Sequence, residues 1–568
     1  MTASSLAGCG LPGAWAGQHQ WRILDTDFGL GLEFLTTWKA WRTDPRRPRL
    51  LHFVSVAAFP SLQHDLSEAV RARPELSPLA AELRAQWWGL LPGFHRLAFD
   101  EGRVLLTLCV GDRQPMLRAQ QFEADSIFLE GFDSRDSPKS IARFACRGTR
   151  IASRPLAAAA RDALAAQGFK LDETGDGLQG VFDPAWQIRR RAAPSNPTVA
   201  EPGHCAVVGA GLAGAAVADS LARRGWRVTV LDAADRPAAG ASGLPIGMLA
   251  PHVSPDDALL SRLTRAGIRA TWQALERLLH EGTDWQGGGV LERRAPGDAR
   301  LPAGWSAEAP NESRQASIAQ LRAAGLPEDA AALWHARAGW VRPARLVAAW
   351  LAQPGVRVEC NRHVARIQKV GNGWNLLNAG GSVLTEADRI VVAAGYASHP
   401  FAPTLPLQPV RGQIAWGRMP SARELPATPI NGDGHLIARV PDEGGALWLT
   451  GATFDRDRSD IAIDAADTEA NLARLARLHP AAAQALSPAF AGGDVEAWAG
   501  VRCASGDRRP LVGPLDPADP HGPWVATAMG SRGLTFAALC AVRLAARWHG
   551  SRLAVPEGRA GALDMRRL

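Results

Sequence analysis

The stretch that most constrains this chain runs from Cys205 to Asp232. It reads Cys-Ala-Val-Val-Gly-Ala-Gly-Leu-Ala-Gly-Ala-Ala-Val-Ala-Asp-Ser-Leu-Ala-Arg-Arg-Gly-Trp-Arg-Val-Thr-Val-Leu-Asp. The apolar run Cys205 to Val208 predicts a buried strand. Gly209, Gly211 and Gly214 follow in the spacing G-x-G-x-x-G, an apolar helix comes next, and a second strand, Arg227 to Leu231, ends on Asp232. Each residue type has a mechanical reason. Gly209 makes the tight turn, Gly211 lets backbone approach a pyrophosphate, and Gly214 lets the helix lie close to the strand. The helix N-terminus faces the phosphates and Asp232 accepts from a ribose. A glycine triplet alone is weak; with strand, helix, strand and acid at this spacing it predicts a dinucleotide site.

A chain of 568 residues is too long for one ordinary core, so two or three domains are expected. The net charge of +7 is compatible with a polyanionic partner, but it is spread along the chain and also describes solvated faces. The seven cysteines are scattered and form no C-x-x-C. That argues against a disulfide framework or a metal site and for a reducing cytoplasm. No basic-then-apolar leader and no apolar run of spanning length is present, so a soluble cytoplasmic protein without a membrane partner is expected.

The amino-terminal part alternates strands and helices. Arg22 to Leu35 reads as a strand, a glycine-containing turn and a helix start. Leu50 to Val56, Arg103 to Asp112 and Ser126 to Phe132 read as further strands, the last two closing on acids. This pattern predicts an open α/β sheet with its ligand over the carboxyl ends of the strands. A Pro/Ser/Ala-rich linker over 189–203 separates it from the dinucleotide half. It begins with Arg189, Arg190 and Arg191, which suit either an RNA-phosphate contact or a solvated domain end.

Motifs at both ends of the chain resemble the MnmC family, bifunctional enzymes that finish 5-methylaminomethyl-2-thiouridine at the tRNA wobble position. In the first part the likeness lies in Phe28-Gly-Leu-Gly-Leu-Glu-Phe-Leu35, Leu51-His-Phe-Val-Ser-Val56 with Phe59-Pro60, Leu90 to Leu97, and Phe128-Leu-Glu-Gly-Phe132 with Pro138. In the second it lies in Gly240-Ala-Ser-Gly243, Gly412-Gln413, Gly451-Ala452, Gly500-Val-Arg-Cys-Ala504 and Gly530-Ser-Arg-Gly-Leu534. The resemblance implies a Rossmann-like S-adenosylmethionine methyltransferase domain over 1–188. A D-amino-acid-oxidase-like FAD domain with a mixed substrate sheet follows over 204–568.

For the second domain the resemblance implies FAD contacts from Gly209, Gly211, Gly214 and Asp232, from Ala241, Ser242, Gly243, Gly247 and Met248, and from Gly530, Ser531, Arg532, Gly533, Leu534 and Thr535. Gly243 and Gly247 are expected to take positive φ. Leu244 stands where the family usually has Asn. Arg502 is the expected clamp on the substrate carboxylate, because a guanidinium fork holds a carboxylate in two parallel bonds. No general base is expected, and His252 near the flavin loop is expected to be structural.

For the first domain Gly29, Gly31 and Asp112 remain from the S-adenosylmethionine site, and Glu130 stands where the family's Asp would orient the accepting amine. Two departures fall at the chemistry. Asp27 replaces the first loop glycine, and Ala57 stands where an acid should hold the ribose hydroxyls. The loss of such an acceptor costs on the order of 2–3 kcal/mol of cofactor binding. The segment from Asp133 to Ser137 is shortened as well.

The implied activity is oxidative removal of the carboxymethyl group from 5-carboxymethylaminomethyluridine in tRNA, followed by N-methylation where the first domain works. No DNA partner is implied. An alternative is a glycine-oxidase-like small-amine oxidase with a vestigial first domain. A third reading is an RNA-binding protein with a structural flavin.

Overall fold

A computed structural model describes residues 5–58, 67–68, 70–120, 122–132, 137–174, 177–188, 202–303, 305, 312–419, 425–516, 518–519, 521–549 and 563–564. Arg189, Arg190 and Arg191, the rest of the linker to Glu201, Phe59-Pro60 and residues 133–136 lie outside the described residues. The chain divides into two compact units. One is 1–199 with 546–560, and the other is 200–545 with 561–568.

The first unit is built on an eight-stranded sheet. Its strands are β1 (Gln20–Asp25), β2 (Leu50–Ala57), β3 (Gly93–Phe99), β4 (Val104–Val110), β5 (Ala124–Leu129), β6 (Ala145–Ser153), β7 (Phe169–Thr174) and β8 (Gly177–Phe182). They lie in the order β3-β4-β2-β1-β5-β6-β8-β7. Every residue of β2 and β4 is buried, as predominantly apolar strands covered on both faces require. β1 pairs in parallel with β2 on one side and β5 on the other. The strand order therefore reverses at β1, and such a point opens a crevice at the carboxyl ends of the strands. The strands expected from sequence are β1, β2, β4 and β5. β3, β6, β7 and β8 were not among them; β3 is an antiparallel edge on β4. The helix Leu32–Thr43 buries Phe34, Leu35, Trp38 and Trp41 in one cluster with Phe53 and Phe99.

The second unit opens with β9 (His204–Val208) and β10 (Arg227–Leu231), with the helix Leu212–Ala222 between them. They form the middle of a six-stranded sheet with Val356–Glu359, Arg389–Val392, Trp524–Thr527 and Leu511–Pro514. A larger mixed sheet carries Gln408–Arg418, Gly434–Asp442, Gly445–Gly451 and Glu496–Ala504. A short strand, Gly339–Val341, pairs with Gly247–Leu249 and Trp285–Gln286. Pro343 then starts the helix Pro343–Leu351, since a first-turn proline has no intrahelical donor to lose. Among the described residues no helix is long and apolar enough to cross a membrane, and no His, Cys, Asp and Glu cluster could hold a metal.

Candidate active site

A cavity of about 1030 Å³ runs from the end of β9 to the mixed sheet. Gly209, Gly211, Asp232, Ala241, Ser242, Gly247, Met248, Arg502 and all six residues from Gly530 to Thr535 line it. Gly214 and Gly243 do not line it but shape its wall. Gly209 sits at φ +106°, a left-handed conformation only glycine holds without strain. A Cβ on Gly214 would stand 1.9 Å from the Gly209 carbonyl, so helix and strand touch through bare backbone. The Asp232 carboxylate accepts from the backbone N–H groups of Ala210 (2.6 Å) and Ala234 (2.9 Å), which ties the glycine loop to the end of β10. Ser242 Oγ accepts the Leu212 N–H at 2.9 Å, tying the second flavin loop to the first helix turn.

Gly243 and Gly247 do not take the positive φ expected of them. Their smallness answers crowding instead. A Cβ would meet the Ala238 carbonyl at 2.6 Å from Gly243, or Leu534 Cδ1 at 2.6 Å from Gly247. Leu244 also lines the cavity and packs beside Ile246 in an apolar cluster, so this position contributes surface rather than a polar contact. Gly530 at φ +56° turns the chain into the helix Gly533–Trp548, whose start lies on the cavity. A bare-backbone cradle, a caught acid and a helix N-terminus are the features a flavin dinucleotide needs, and these residues fit FAD.

Arg502 is seated by the mixed sheet. Its strand pairs with Gln408–Arg418, bringing Arg502 opposite Val410. A Cβ on Gly412 would lie 1.5 Å from Arg502 Nη2, so the guanidinium occupies the space this glycine leaves. Nη2 donates to the Thr453 carbonyl at 2.9 Å, and the guanidinium lies over the Phe454 ring at 5.3 Å. Thr453 is in turn held by Gln413, whose N–H donates to its Oγ1 at 3.0 Å. Arg502 makes no ion pair among the described residues, and burial lowers its pKa. A desolvated cation without a carboxylate partner is a site for an anion.

Sequence reasoning missed two groups on this wall. Glu292 accepts from Arg294 at 2.9 Å and shares a 2.8 Å hydrogen bond with His335, which bonds Ser313 Oγ at 2.7 Å. Burial would raise the Glu292 carboxyl, but His335 and Arg294 outweigh it and hold it below the usual carboxylate range. His435 lies on the strand opposite Gly451, and its Nε2 is buried without a hydrogen-bond partner among the described residues. Burial, and then the charge of Arg502, push its imidazole down to about 4, so it is neutral at ordinary pH. No local motif marks either residue. His252, expected to be structural, also lines the cavity; burial and then Arg532 lower its pKa.

In the first unit the expected site residues follow the carboxyl ends of β1, β4 and β5, with Ala57 at the end of β2. Gly29 (φ +51°) and Gly31 (φ +76°) make the turn into the helix Leu32–Thr43. Asp25, at the end of β1, accepts from Ser55 Oγ at 2.6 Å and is buried, which raises its carboxyl well above the usual range. Asp27 Oδ1 accepts the Gly29 N–H at 3.2 Å, and Oδ2 lies 3.8 Å from the Arg113 guanidinium. Asp112 is exposed and makes no side-chain cap on the helix Arg113–Arg118. Glu130 is engaged by Arg154 at 3.2 Å and by Ser5 Oγ at 3.1 Å. Ala57 is buried and offers the crevice no acceptor.

Comparison with known proteins follows this division. The family of FAD dependent oxidoreductases matches residues 204–547, and that of S-adenosyl-L-methionine-dependent methyltransferases matches 74–177. A protein of Polaromonas sp. (strain JS666 / ATCC BAA-500), described as tRNA 5-methylaminomethyl-2-thiouridine biosynthesis bifunctional protein MnmC, is 51% identical over 98% of this chain and 92% of its own length. The chain belongs to the MnmC family. Proteins of the same description from Paracidovorax citrulli and Cupriavidus necator are 50% and 37% identical, each over 99% of this chain and over 94% and 92% of their own lengths. Among solved structures, L-amino acid deaminase from Proteus vulgaris is similar in fold. It has a TM-score of 0.50 and 19% identity, over 67% of this chain and 99% of that one. As a family member this chain is an FAD-dependent oxidoreductase joined to a methyltransferase-type domain.

Proposed function

We propose that the second unit removes the carboxymethyl group from 5-carboxymethylaminomethyluridine at the wobble position of tRNA, leaving 5-aminomethyluridine. The observation that carries this reading is Arg502, a half-buried cation with no carboxylate partner among the described residues, facing the same cavity as the flavin cradle. Bound FAD supplies the two-electron acceptor. Arg502 holds the substrate carboxylate, which aims the adjacent C–H bonds along the cavity. His435, neutral and unpartnered beside it, offers a hydrogen bond without a competing charge. Residues from the stretches Gly530 to Thr535 and Ala241 to Met248 line the cavity in which an imine forms on the substrate. Loss of the hydride from the methylene between amine and carboxylate gives that imine. Addition of water then splits it into the primary amine and a two-carbon oxoacid.

Near-full-length likeness to proteins named for tRNA modification supports this over a free amino-acid oxidase. A tRNA substrate places the work in the cytoplasm. The test is nucleoside mass spectrometry on tRNA carrying the carboxymethylamino group, beside flavin bleaching by glycine and sarcosine. Conversion of the tRNA with a flavin left oxidised by the free amines is the expected result. Bleaching by free glycine with untouched tRNA would establish the small-amine oxidase instead.

A further inference from the structure

The crevice of the first unit is bridged by its own side chains. Asp27 comes from the loop after β1, Arg113 from the helix after β4, and Gly131 from the loop after β5. Arg113 Nη1 donates to the Gly131 carbonyl at 2.6 Å, and Nη2 lies 3.8 Å from Asp27 Oδ2. A Cβ on Gly131 would be 3.0 Å from Asp27 Oδ2 and 2.8 Å from Arg113 Nη2, so the three meet without spare room. In the sheet order β4-β2-β1-β5 this staple crosses the ends of β2 and β1, where a nucleoside cofactor of a doubly wound sheet lies.

Asp112 stays exposed after β4, but among the described residues the other polar groups such a cofactor needs are missing or engaged. Among the described residues, the end of β2 carries Ala57 and no ribose acceptor. Asp27 puts a carboxylate where bare backbone should approach the ligand. Glu130 is held by Arg154 and Ser5. Asp25 is buried against Ser55 and Glu130 faces a cation, so neither presents a free carboxylate to the ammonium of an amino-acid moiety. These residues do not fit S-adenosylmethionine.

We propose that the first unit has lost its S-adenosylmethionine site and that the chain releases tRNA bearing the primary amine. The second clause rests on the function proposed above. A secondary methylamine at that base then requires N-methylation by a separate enzyme that carries the methyl donor.

The test is equilibrium dialysis of the full-length, FAD-loaded protein with labelled S-adenosylmethionine, repeated with S-adenosylhomocysteine. No saturable binding up to about 1 mM is expected, and a micromolar dissociation constant for either ligand overturns the proposal. The double variant Asp27→Gly, Ala57→Asp, checked for native circular dichroism, is expected to bind at least roughly tenfold more tightly than the parent. Equal affinities would overturn the assignment of the loss to those positions. Nucleoside mass spectrometry on the same preparation separates the two readings. Accumulating aminomethyluridine supports both, methylaminomethyluridine overturns the loss, and unreacted tRNA overturns the oxidase reading while the dialysis still decides the cofactor site.

Discussion

At the residue scale, Arg502 and Gly412 act as a pair: the guanidinium is where it is because the facing residue has no Cβ. Arg502→Met removes two charge-assisted bonds to the substrate carboxylate. A loss of about 3 kcal/mol or more is expected, lowering kcat/KM for the tRNA by two or more powers of ten while FAD stays bound. Gly412→Ala is expected to act through the same group, raising KM with an unchanged flavin spectrum. Steady-state kinetics beside the absorbance spectrum separates these outcomes from simple unfolding. His435 has a pH signature of its own. Its folded pKa lies below the unfolded value, so the unfolded chain binds more protons between about pH 6.5 and 4, and stability falls as pH drops through that window. His435→Gln is expected to flatten the melting temperature against pH there, while activity above about pH 5 shows no histidine titration from this residue.

At the element scale, the helix Leu212–Ala222 meets β9 and the glycine loop through Gly214, and the contact tolerates no added atom. Gly214→Ala brings a methyl to 1.9 Å from the Gly209 carbonyl, so helix or loop must shift. Purified variant is expected to carry much less FAD, read as the ratio of flavin to protein absorbance. Asp564 anchors the other end of the unit. It bridges to Val512 and pairs with Arg543 at 3.2 Å, both side chains 4% exposed. Asp564→Ala leaves a buried cation without that partner, which costs about 3–5 kcal/mol, and a lower melting temperature by calorimetry is the expected outcome.

At the scale of the whole molecule, the two units have separate sheets and separate apolar clusters. Residues 200–568 contain every residue that lines the flavin cavity. This piece expressed alone is expected to bind FAD at the stoichiometry of the full chain, measured by absorbance. The first unit keeps its sheet because burial of β2 and β4 depends on apolar pattern rather than on a ligand. A methyltransferase-type fold therefore persists where its cofactor crevice has closed.

Much of the flavin half was legible because its signals are local. Gly209, Gly211, Gly214 and Asp232 fall within one strand-helix-strand unit, where spacing alone fixes geometry. The departures at Asp27 and Ala57 were visible for the same reason. Gly243 and Gly247 misled because sequence shows that a residue is small, not whether φ or crowding demands it. The seat of Arg502 against Gly412, the link from Ser313 through His335 to Glu292, the place of His435 and the staple from Arg113 to Asp27 join residues far apart in the chain. Sequence by itself determined the two fold types, the flavin fingerprint and the altered residues of the first half. Only the tertiary structure decided which charges stand alone and which are matched, because that depends on which strands lie side by side.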